Sequence, residues 1–140
     1  MPRPTSFRLD DDLLERLETE SRAASMSTTS LVSSLLDEGL KTRQFPGVVY
    51  RPGPTGRRAA LLGGPDVWEV IRDLRHWPGK GMERVERLAD ELGLSASRVG
   101  LAADFYSVFP EEIDARIEEN ERAAEEIRRR AQQRETLLSS

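Results

Sequence analysis

Few side chains in this sequence are of a kind that does covalent chemistry. There is no cysteine and a single histidine, His76, so no thiol nucleophile exists, and the scarcity of these ligands argues against a transition-metal site, which usually needs several of them. The carboxylate pairs Glu111–Glu112 and Glu118–Glu119 sit on a helical pattern, where adjacent residues do not face one another. A serine–histidine–aspartate set would have only His76 to organise it, and "GLKTRQFPG" and "GGPDVW" lack the Lys-Ser/Thr ending of a phosphate loop. The expectation is a protein without a catalytic centre, cofactor or metal, with His76 an ordinary surface or loop residue. Donors remain. In "TSFRLD" (residues 5–10), Ser6, Arg8 and Asp10 alternate with Phe7 and Leu9. At the period of a strand, this puts the arginine fork and the hydroxyl on one face and the apolar pair on the other.

Such a strand of about six residues has no second strand nearby in sequence, and its backbone groups need partners. The simplest partner is the same strand of a second subunit, in a two-stranded antiparallel ribbon with two-fold symmetry. Two helical patterns follow. In residues 10–25, aspartates charge and cap the start, and Leu13, Leu14, Leu17 and Ala24 form one side. In residues 26–43, Ser27 is the expected N-cap, and Leu31, Val32, Leu35, Leu36 and Leu40 form the apolar stripe. About 45 residues cannot fold such helices alone, so two copies must share a core. Phe7, Leu9, Leu14, Leu17, Leu31 and Leu35 are the residues expected in it.

Strand, helix, short turn and helix, in that order and spacing, resemble the ribbon-helix-helix family of DNA-binding proteins, the Arc and MetJ group. The likeness covers residues 5 to about 43. It implies a homodimer whose ribbon enters the major groove of double-stranded DNA. The groove-facing positions fall on Pro4, Ser6 and Arg8, and the phosphate clamp falls on Ser27, Thr28 and Thr29. Pro4 stands where a polar reader is usual, and Arg3 is the neighbouring substitute. The chemistry agrees: arginine bonds guanine O6 and N7 together, serine suits several base edges, and N–H groups at a helix start attract phosphate.

Residues 43–58 hold Pro46, Gly47, Pro52, Gly53, Pro54 and Gly56 and so end the first domain, expected at 1–45. "VVYR" (48–51) and "RAALL" (58–62) flank "PGPTGR" as a small hairpin. A helix is expected over 63–77, broken by "PGKG" (78–81). In "LADELGLSASRVGLA" (88–102), Ala89, Gly93 and Val99 have the spacing of a helix-turn-helix: a small crossing residue, a flexible turn and an apolar anchor. Its second helix offers one base and one acid as outward residues, and Glu83 and Glu86 sit beside Arg84 and Arg87. Packing is the expected use, with DNA contact the lesser alternative. A hairpin plus helix-turn-helix-like domain over 46–110 and a long charged helix over 111–140 complete a mostly α fold.

In that last helix Ile113, Ile117, Ala124, Ile127, Ala131 and Leu138 make one narrow stripe, fit either for a partner's groove or for the protein's own core. The hairpin-to-"ADFYSVFPEEID" segment is similar to a small helical domain of some bacterial antitoxins. That similarity implies an antitoxin that represses its own operon and neutralises a toxin, commonly a PIN-type ribonuclease; the stripe independently offers Ile113, Ile117 and Ile127 as partner-binding positions. A stand-alone regulator and a dimeric scaffold that never touches DNA are the alternatives. The net charge of −4 does not exclude DNA: residues 1–46 carry 8 acids and 6 bases, 47–110 carry 8 and 9, and 111–140 carry 9 and 6, and phosphate binding follows local charge. With no apolar run of roughly 18 residues and no cysteine, the expected location is the cytoplasm, on the nucleoid when DNA is bound.

Overall fold

The computed structural model describes residues 2–140, which form six helices and one two-stranded sheet. The chain divides into two compact units, residues 1–44 and 45–140.

The first unit holds helices α1 (Asp11–Ala23) and α2 (Thr28–Gln44). The Asp10 side chain accepts the Leu13 N–H at 2.9 Å, and Asp11 and Asp12 add acid to the first turn of α1, where the helix dipole favours it. The turn between the helices places Ser25 at a φ of 53°, and the buried Ser21 hydroxyl donates to the Met26 carbonyl. Residues 2–10 have no regular secondary structure. The strand expected over 5–10 is therefore not formed in a single chain, where it has no backbone to pair with. The apolar side chains of this unit are equally uncovered: Leu31 is the one buried hydrophobic residue among its described residues, while Phe7, Leu9, Leu13, Leu14, Leu35, Leu36 and Leu40 are exposed.

The second unit opens with Phe45, whose ring meets Phe105 edge-on at 5.4 Å and Phe109 at 6.0 Å. Strands β1 (Val48–Arg51) and β2 (Arg58–Leu61) pair antiparallel, in register from Val48↔Leu61 to Arg51↔Arg58, so the sequence-expected hairpin differs only in ending one residue earlier. That register sets two arginines opposite each other, which like-charge repulsion would oppose. Asp66 resolves the conflict. Its buried carboxylate accepts from Arg51 at 2.7 Å, from Arg58 at 3.3 Å and from the Trp68 indole N–H at 3.1 Å. The Arg58 guanidinium lies against Gly53, where an added Cβ would come within 2.5 Å of it.

Helix α3 (Val67–His76) starts four residues later than the pattern over 63–77 suggests. Gly63, at a φ of 64°, begins a loop, and the Pro65 carbonyl accepts from the Leu61 N–H at 3.0 Å. His76 closes α3, exposed. Helix α4 (Gly81–Leu92) ends at Gly93, whose left-handed φ of 67° lets the Leu94 N–H bond back to the Ala89 carbonyl at 2.9 Å. Helix α5 (Ala96–Val108) is capped by Ser95. Helix α6 (Pro110–Ser139) opens on a proline at its first turn. Leu61, Val67, Val70, Leu88, Val99, Ala102, Phe105, Ile113 and Ile117 are among the buried residues of the unit's core.

The start of α6 is pinned by a second polar set. Arg75 donates to the Tyr106 hydroxyl and to the Asp114 carboxylate, both at 2.6 Å, and Tyr106 donates to Asp114 at 2.9 Å. The hydrogen bond from Arg75 holds the Asp114 carboxyl below its ordinary value of 3.8 against the opposing effect of burial, and the bond from Tyr106 helps to a lesser degree. Stability from this group is therefore complete above that ordinary value and is lost as pH falls through the lower folded one. The set is largely exposed, so its contribution is at most about 1 kcal/mol. Asp114→Asn should lower the melting temperature slightly at neutral pH, with the difference from wild type closing below about pH 3.8. Asp66→Ala should be far worse, costing about 3–5 kcal/mol by leaving a mostly buried arginine without its counter-charge. Thermal unfolding across pH checks the first and urea unfolding the second, both followed by tryptophan fluorescence.

Candidate nucleic-acid interface

Arg3, Ser6 and Arg8 are exposed on the N-terminal segment, and neither arginine forms an ion pair among the described residues. Their alternation with Phe7 and Leu9 survives as a sequence pattern, but the single chain builds no ribbon from it.

Ser27, Thr28 and Thr29 lie at the start of α2, as the spacing predicted. Ser27 is the N-cap: its Oγ accepts the Ser30 N–H at 3.1 Å while its hydroxyl donates to Ser30 Oγ at 2.9 Å, and its carbonyl accepts from Leu31 at 3.0 Å. The Thr28 and Thr29 N–H groups, at the first two helical positions, have no intrahelical acceptor. Sequence reasoning missed a contrast here that the cap positions could have revealed. The first turn of α1 carries Asp11 and Asp12, whereas the first turn of α2 has no acid. The positive end of α2 is therefore open to an anion, and that of α1 is already neutralised by its own side chains. No hydrogen bond or ion pair links Ser27, Thr28 or Thr29 to Arg3 or Arg8 in the chain.

Of the six residues expected in a shared core, only Leu31 is buried in one copy, at 6% exposure; Leu17 is half-buried, and Phe7 is 75% exposed. Leu13, Leu17 and Leu35 line an open groove of about 520 Å³ between α1 and α2, rimmed by Glu15, Arg16, Thr19 and Glu20.

The helix-turn-helix shape is present, with Ala89 and Val99 buried at the crossing and Gly93 in the turn. α5 buries Val99, Ala102 and Phe105 and exposes Ser97, Asp104, Ser107 and Val108. Its one base, Arg98, donates to the Leu62 carbonyl. On α4, Arg84 is bonded to the Gly79 carbonyl at 2.6 Å, and Arg87 pairs with Glu83 at 2.6 Å.

The three isoleucines assigned to partner binding do not share one environment. Ile113 and Ile117 are 2% and 3% exposed, inside the core of the second unit, so their assignment to a partner surface is corrected: the first turns of the stripe cover α3 and α5. Ile127 is 67% exposed, and every later residue of α6 is exposed too. The Glu125 carboxyl beside Arg128, 2.7 Å away, sits below its ordinary range, and Arg130 bonds Glu126 at 3.1 Å. Such exposed pairs on successive turns support a helix weakly.

Comparison of the chain with protein families, with curated proteins and with solved structures gave no match. No helix is long and apolar enough to cross a membrane, and no cluster of three or more metal-ligating side chains occurs among the described residues. Ile117→Glu should destabilise the second unit by at least about 2–5 kcal/mol, the loss of isoleucine packing alone. Ile127→Glu should stay within about 0.5 kcal/mol of wild type, as exposed substitutions do. Thermal unfolding of the two variants separates the buried from the open part of the stripe.

Proposed function

We propose that the chain acts as a homodimeric, sequence-specific DNA-binding repressor of the ribbon-helix-helix kind. The observation that carries this reading is the first unit itself. Its leucine-lined helical face is uncovered, and it adjoins a strand-patterned arm that has no partner strand. Pairing two copies would satisfy both deficits at once, closing the apolar groove and giving the arm's backbone an antiparallel mate.

In that dimer Arg8 and Ser6, with Arg3 beside the unusual Pro4, read base edges from the ribbon. The acid-free start of α2 holds a phosphate through the Thr28 and Thr29 N–H groups, with Ser27 as the cap. A negative net charge is compatible with this, because acids on α1 and α6 lie outside the proposed contact set.

The distal part of α6 is the arm by which such a repressor would hold a protein partner, a PIN-type ribonuclease toxin by the family resemblance. Ile127, Ala131 and Leu138 supply its apolar line. Ile113 and Ile117 no longer belong to it, which shortens the arm to roughly four turns.

Arg8→Ala should cost about 1–3 kcal/mol at the preferred sequence and flatten sequence preference, whereas Thr28→Pro, which removes a phosphate-facing N–H at a position where helices accept proline, should weaken all duplexes alike. Salt-dependent fluorescence anisotropy on specific and random duplexes measures both. Absence of any DNA retention at low salt by folded wild type would replace the proposal with a dimeric scaffold. Removing residues 127–140 should leave DNA affinity and the melting of the second unit close to wild type while abolishing co-purification of a co-expressed nuclease encoded beside it.

A further inference from the structure

We draw no further inference here: the strongest candidate, the cavity beside the hairpin lined by Thr55, Arg58, Trp68 and Arg116, has guanidinium donors committed to Asp66, Thr55, Glu119 and the Thr55 and Arg57 carbonyls, and the one buried donor without a partner among the described residues, Arg58 Nε, is packed against Gly53, so nothing in it points to a ligand.

Discussion

The first unit cannot bury its own apolar surface. Two helices of 13 and 17 residues, joined by a turn, have one buried hydrophobic residue between them. Each exposed leucine or phenylalanine forgoes about 1.5–3 kcal/mol that full burial would contribute, and seven stand exposed on this unit's arm and helices. Isolated helices of this length are marginal in water. A second surface of the same character is the economical remedy, and a second copy supplies one by symmetry. The proposed ribbon, its base-reading face and the phosphate contacts at α2 all depend on that association.

The second unit is built on the opposite terms. It closes a core around Phe105, Leu61, Leu88 and Ile113, and it spends its polar groups internally. Asp66 neutralises the facing pair Arg51 and Arg58, Arg75 ties Tyr106 to Asp114, and Arg116 grips the hairpin through the Thr55 and Arg57 carbonyls at 2.9 and 2.8 Å. The helix-turn-helix shape in α4 and α5 likewise meets in this core, with Ala89 and Val99 buried at the crossing.

The sequence made some of this legible and hid the rest for physical reasons. Local chemistry was readable: the Ser27 cap, the Gly93 stop, the proline opening α6 and the hairpin strands each follow from short-range rules. Long-range compensation was not. Asp66 stands at the N-cap of α3, yet its side chain caps no N–H there, because its carboxylate is drawn to two arginines brought together only by strand register. Periodicity likewise identifies an apolar stripe on α6 without saying what covers it; Ile113 and Ile117 meet the unit's own core, and Ile127 lies beyond the core's reach. At the N-terminus, alternation marks Phe7 and Leu9 as a strand pattern, but a strand is a property of two backbones, and one chain holds only one.

The mass of the folded protein in solution tests this account most directly. Sedimentation equilibrium of the full chain across micromolar concentrations should give a dimer, twice the 15.8 kDa of one copy. Helical signal from the first unit should fall wherever dilution produces monomer. A stable 15.8 kDa monomer with α1 and α2 fully helical would contradict the claim that this unit is completed by a second copy.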